Sequence, residues 1–110
     1  MLETIKPSTE ISHLFTQGRR FGSPFVTLII DTSQHGQSGR VAFIAGKKMG
    51  NAVWRNGAKR RMRAICQELG GPWGGYDVIF LAKPQINEVS YSKVLNACSK
   101  GLSRAFTETD

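Results

Sequence analysis

The chain has 110 residues, 40% of them hydrophobic and 21% charged. That is ordinary composition for one globular domain over residues 1–110, able to bury about 65% of the surface its unfolded form exposes, and it excludes a disordered basic tail. Fifteen Lys and Arg against eight Asp and Glu leave a formal net charge of +7, which points to a polyanionic partner, and the apolar stretch Phe25 to Ile30 is far shorter than the ~20 residues of a membrane span.

In chain order, Pro7-Ser8-Thr9-Glu10 supplies a cap candidate and an acidic first turn ahead of Ile11, Leu14 and Phe15, with Gly18 as a stop, so a short amphipathic helix is predicted there. Phe25 to Ile30 and Arg40 to Ala45 are β-rich runs. The stretch between them, Asp31 to Gly39, has hairpin-loop composition, which predicts antiparallel pairing of the two strands. Gly50-Asn51 offers a turn and a helix cap before a long helix from about Ala52 to Leu69, which Gly70 to Gly75 ends. Tyr76 to Ala82 reads as a buried strand. Tyr91 to about Phe106 reads as a final helix with Val94, Leu95, Cys98, Leu102 and Ala105 on one side, and Thr107 to Asp110 as a frayed end. The fold class is therefore α+β, a two-layer sandwich with helices packed on one small sheet.

Charge is concentrated in one place. Residues 47 to 63 hold Lys47, Lys48, Arg55, Lys59, Arg60, Arg61 and Arg63 and no acid, equal to the whole net charge of +7. At about 100° per residue, Trp54, Ala58, Met62, Ile65 and Leu69 form a stripe that can lie on the sheet, while Arg55, Asn56, Lys59, Arg60 and Arg63 share an arc centred roughly 130° away. Cations at i and i+4 repel by a few tenths of a kcal/mol per pair. Leaving that repulsion without glutamates suits a helix whose partner supplies the anions, and four arginines to three lysines suit phosphate oxygens. Gly46, Gly50 and Asn51 add outward-pointing backbone amides at a positive helix terminus beside Lys47 and Lys48.

The remaining chemistry-bearing residues form no catalytic set. The two cysteines and two histidines, Cys66, Cys98, His13 and His35, lack the paired spacing of a zinc site. The cysteines read as small buried hydrophobes of a protein in the reducing cytoplasm. No Ser-His-Asp or Cys-His constellation is assembled by motif, and the Gly70 to Gly75 loop lacks the Lys and Ser/Thr of a phosphate-binding loop. The opening Met-Leu-Glu-Thr-Ile-Lys has no signal-peptide pattern. On residue types alone, a basic helix also suits a structural ribosomal-type RNA-binding module or a DNA binder, because phosphate contacts position without specifying.

The run Lys47-Lys-Met-Gly-Asn-Ala-Val-Trp-Arg-Asn-Gly-Ala-Lys-Arg-Arg-Met-Arg63 resembles the signature of the bacterial ribonuclease P protein subunit, K-K-x-G-N-A-V-x-R-N-x-x-K-R-x-x-R, at every fixed position. The resemblance extends from about residue 5 to 106 through Phe15 to Gly18, the strand pair and Tyr76-Asp-Val-Ile-Phe80. It implies an αβββαβα order with a mixed sheet and a left-handed βαβ crossover. It also implies a non-catalytic cytoplasmic subunit that assists a catalytic RNA in removing the 5′ leader of precursor tRNA, with magnesium held mainly by the RNA. By position, Lys47, Lys48, Asn51, Arg55, Asn56, Lys59, Arg60 and Arg63 would contact the catalytic RNA. A cleft between the sheet and the first helix, with Phe15, Phe25 and Arg40, would receive the leader. Two departures stand out. Ile11 and Leu28 occupy positions where the family commonly has aromatics, whose stacking contributes about 1–3 kcal/mol per base, and Gly57-Ala58 interrupt the usual cation run, with Arg61 returning one charge on another side of the helix.

Overall fold

The computed structural model describes residues 8–32 and 39–108. Residues 33–38, most of the predicted Asp31 to Gly39 loop, lie outside that description, as do Pro7 and the side chains of the Ser8, Thr9 and Glu10 cap region. The elements run α1 (Ser8–Gln17), β1 (Arg19–Phe21), β2 (Val26–Thr32), β3 (Arg40–Ile44), α2 (Ala52–Glu68), β4 (Tyr76–Ala82) and α3 (Tyr91–Glu108), the order that the resemblance implies. Short 3-10 turns at Lys47–Met49 and Pro84–Asn87 precede α2 and α3. Helix α3 takes in Thr107 and Glu108, which the sequence assigned to a frayed end.

The sheet order is β1-β2-β4-β3, and this corrects the predicted hairpin. Strands β2 and β3 run in opposite directions but are not neighbours. β4 lies between them, antiparallel to β2 from Val26↔Ala82 to Thr32↔Tyr76 and parallel to β3 from Arg40↔Asp77 to Ile44↔Leu81. The cause is the apolarity of β4 on both of its faces. Val78, Ile79 and Phe80 are fully buried, and a strand with no polar face is stable in the middle of a sheet rather than at its edge. Strands β3 and β4 with α2 between them thus form a parallel βαβ crossover.

Alternation along the strands divides the core in two. Val26, Leu28, Ile30, Val41, Val78, Phe80 and Ala82 point to the face covered by α2 and α3. Helix α2 contributes Ala58, Met62, Ile65 and Cys66, with Trp54 and Leu69 half-buried at the two ends of the stripe. Helix α3 contributes Val94, Cys98, Leu102 and Ala105. Burial pushes the Cys66 thiol up to about 11 and the Cys98 thiol up to about 12, so both behave as small hydrophobes. Helix α1 covers the other face of the sheet, where Leu14 packs on Ile29, Ala42 and Ile79. The N–H of Gly18 donates to the Leu14 carbonyl and ends α1 at the start of β1. Among the described residues no helix is long and apolar enough to cross a membrane.

Candidate nucleic-acid interface

The interface begins at the turn before α2. Lys47 and Lys48 are exposed in the 3-10 turn, which closes with the Met49 N–H donating to the Gly46 carbonyl. Asn51 caps the helix: its side-chain oxygen accepts from the Trp54 N–H at 2.9 Å, and its carbonyl accepts from the Arg55 N–H. Satisfying one amide this way leaves the other first-turn donors and the helix dipole facing outward. Gly50 has extended backbone that any residue adopts, yet a Cβ there would stand 2.8 Å from Trp54 Cγ and Cδ2. Glycine lets the indole fold back over the turn and fixes where the helix starts.

Along α2 the exposed arc carries Asn56, Lys59, Arg60 and Arg63. The Arg63 guanidinium lies 5.5 Å from the ring centroid of Phe43, on the edge strand β3, which holds that cation at the sheet border. Arg55 stands where the arc meets the core. It is half-buried, and its Nε is buried with no hydrogen-bond partner among the described residues. Leaving a buried donor unpaired costs on the order of 1–3 kcal/mol, so Arg55 is held at some cost where the arc meets the core. The patch is not purely ionic, because Met49 and Val53 are 41% and 80% exposed in its midst.

Arg61 does something else. Its Nη1 donates to the carbonyls of Ile86 at 2.9 Å and Val89 at 2.6 Å, tying α2 to the segment before α3. Asn87 Nδ2 reinforces this contact by donating to the Trp54 carbonyl at 3.1 Å. Gly57 lies beside that contact, where a Cβ would meet Asn87 Nδ2 at 3.4 Å, an ordinary packing distance. The interruption of the cation run is where the 84–90 segment packs on the helix.

Of the three residues predicted for a cleft on the other sheet face, Phe15 and Arg40 lie on that face and Phe25 does not. Phe25 belongs to the main core, 9% exposed and clustered with residues that pack under α2 and α3. Arg40 is held by Asp77, with Nε and Nη2 donating to the two carboxylate oxygens at 3.3 and 3.0 Å, and is 11% exposed. By register it stands beside Asp77 in the cross-strand row Asp31, Asp77, Arg40, on the same face as Ile29, Ile79 and Ala42, where the like charges of Asp31 and Asp77 would otherwise repel. Phe15 shares the α1 side with Arg40, half-buried against the cluster of Leu14, Ile29, Ala42 and Ile79, with the Arg20 guanidinium 5.5 Å from its ring centroid and Arg20 Nη2 donating to its carbonyl. Leu28, matched by sequence to a cleft aromatic, points the opposite way, into the core. The half-exposed hydrophobic residues beside Phe15 on this face are Ile11, Ile44 and Leu81. Strand parity carries that information once the facing strand is known. Among the described residues no group of three or more His, Cys, Asp or Glu could hold a metal ion.

Fold and charged face together define a small α+β protein built to meet a polyanion along one helix. A profile of the Ribonuclease P family matches residues 2–106. The ribonuclease P protein component of Streptococcus mutans is 34% identical over 89 residues, 80% of this chain and 73% of that protein. The component of Nitratiruptor sp. is 30% identical over 105 residues, 94% and 92% of the two chains. The chain belongs to this family, the protein component of ribonuclease P, a subunit of the enzyme that processes the 5′ end of tRNA. Solved structures agree on the fold. The Staphylococcus aureus RNase P protein superposes with TM-score 0.81 at 20% identity, covering 96% of each chain. The Thermotoga maritima protein gives 0.77 at 17%, covering 93% of this chain and 96% of that one.

Proposed function

We propose that this chain binds the catalytic RNA of ribonuclease P through the turn and exposed arc of α2, and so assists removal of the 5′ leader from precursor tRNA in the cytoplasm. Lys47, Lys48, Lys59, Arg60 and Arg63 contact phosphates, the half-buried Arg55 adds its charge at the border of the arc, and Asn56 adds neutral hydrogen bonds. Asn51 acts by capping the helix that presents them. The observation that carries this reading is an acid-free, exposed cationic face on a helix whose opposite side is core.

The single-stranded leader lies on the α1 face of the sheet, against Phe15 and the half-exposed Ile44 and Leu81. With Phe15 the one aromatic there among the described residues, stacking is limited to about 1–3 kcal/mol and apolar contact carries the rest. Magnesium belongs to the RNA in this account, and the protein's part is to neutralise phosphates and hold strands in position. The test is the salt dependence of affinity for the catalytic RNA. Each phosphate contact contributes roughly 0.7–0.9 to the slope of log affinity against log salt. Replacing the exposed pair Lys59→Glu and Arg60→Glu should lower the slope by about 1.5 or more and weaken binding. An unchanged slope with a folded variant would move the interface off α2.

A further inference from the structure

Outside residues 47–63 the charges cancel in number, eight basic against eight acidic. They do not cancel in space. No acidic residue occurs between Glu88 and Glu108, whereas Lys93, Lys100 and Arg104 recur along α3 at spacings of seven and four, within roughly 40° of one another at 100° per residue. All three are exposed. Lys100 and Arg104 stand at i and i+4, where like charges repel.

The stripe borders a groove of about 520 Å³ between α3 and the Gly22–Pro24 turn that joins β1 to β2. Ala97 and Gly101 line it together with Lys93, Asn96, Lys100 and Arg104. Two further cations approach from other elements. The Arg19 and Arg104 guanidiniums lie 5.3 and 5.8 Å from the ring centroid of Phe21, and Lys83 Nζ comes within 4.0 Å of where a Gly22 Cβ would be. Five of the eight basic residues outside the α2 segment thus gather around one groove, with no carboxylate among its lining residues.

Its position matters as much as its charge. Helix α3 packs over β1 and β2 while α2 packs over β3 and β4, so the two stripes lie toward opposite edges of the same sheet face. Three strand spacings of about 4.8 Å, roughly 14 Å, separate those edges, and the stripes face outward from them. Arg63 borders the edge strand β3, whereas the α3 groove borders the β1–β2 turn, so a backbone laid along one stripe leads away from the other. The leader surface lies on the other side of the sheet.

From this we infer that the α3 groove is a second RNA-binding surface, which takes the phosphate backbone of a separate segment of the same catalytic RNA that α2 binds. The inference rests on the functional reading above. A folded RNA offers phosphates in more than one place, the lysines serve as point charges for them, and the Asn96 amide suits a ribose hydroxyl. The protein then clamps two RNA segments with the two helices on one sheet face.

The test uses the whole chain with catalytic RNA and no precursor. Lys93→Glu with Lys100→Glu should lower the salt slope by about 1.5, so that the affinity lost between 50 and 200 mM salt shrinks by about eightfold. Both positions are exposed and should leave the melting temperature near that of the parent; Lys93→Gln with Lys100→Gln gives the same direction with a smaller change. Because Cys66 and Cys98 are buried, a hydroxyl-radical probe can be tethered selectively through Ser103→Cys on α3 or Gln67→Cys on α2. Two distinct sets of RNA cleavages are expected. Unchanged affinity and slope in the α3 variants, or no cleavage from position 103, overturns the inference while a loss in Lys59→Glu with Arg60→Glu leaves the functional reading standing. If the α2 variant is neutral as well, the functional reading itself has failed.

Discussion

Replacing Arg61 separates structural from RNA-facing cations on one helix. Its Nη1 donates to two carbonyls, Ile86 O and Val89 O, at 2.9 and 2.6 Å in a partly buried setting. A hydrogen bond from a charged donor contributes about 1.5–3 kcal/mol net. Because one nitrogen serves both acceptors and water reaches part of the site, Arg61→Ala should cost about 2 kcal/mol in total. For a domain of this size that is a fall of roughly 10 °C in melting temperature. Well below that temperature, affinity for the catalytic RNA should stay within about twofold of the parent. Arg60→Ala, one residue earlier and exposed, should do the reverse: an unchanged melting curve and a salt slope lower by about one. Calorimetric melting and equilibrium binding on the same preparations decide the matter. A stable Arg61→Ala protein that has lost RNA affinity would refute the assignment of faces on α2.

Other substitutions probe the start of that helix. Asn51→Ala removes the cap on Trp54 N–H and should destabilise the fold by about 1 kcal/mol; Asn51→Asp keeps a capping oxygen, so it should melt near the parent yet bind RNA more weakly because it adds a negative charge. Gly50→Ala forces a Cβ into the Trp54 ring at 2.8 Å and should cost about 1–3 kcal/mol, read as a shifted urea midpoint. The buried thiols give a pH dependence of known sign. Their folded values, about 11 and 12, lie above the ordinary value of 9.0, so folding stability is unaffected below about pH 9 and falls as pH rises from there through 11 and 12. Urea midpoints of the parent should drop between pH 8.5 and 10.5 more steeply than those of a Cys66→Ala, Cys98→Ala variant; parallel curves would contradict the burial argument.

What could be read without coordinates was local. The Asn51 cap, the Ala58, Met62 and Ile65 stripe and the limits of β4 each depend on neighbours a few residues away, and each is found as expected. The β2–β3 pairing failed because loop composition between Asp31 and Gly39 reports a chain reversal, not a ladder partner. Only the two-sided apolarity of β4 bears on which strand lies between them. Arg61 looks like its neighbours in sequence, and its acceptors are carbonyls 25 and 28 residues away, to which side-chain patterns are blind. Phe25 and Leu28 turn into the main core, away from the first helix, for one reason. Which face a strand residue takes follows from parity, but which face the first helix covers follows from packing. The cations of α3 are a different case, since their spacing was legible in the sequence and their gathering with Arg19 and Lys83 was not.

The central claim is that the protein acts by neutralising and positioning RNA. Its most direct measurement is precursor tRNA cleavage by the cognate catalytic RNA, with and without this protein, at a magnesium concentration too low for the RNA alone. The account predicts that the parent restores cleavage and that Lys59→Glu with Arg60→Glu, folded but with the positive charge of α2 offset, does not. Absence of stimulation by the folded parent, or full stimulation by that variant, would contradict it.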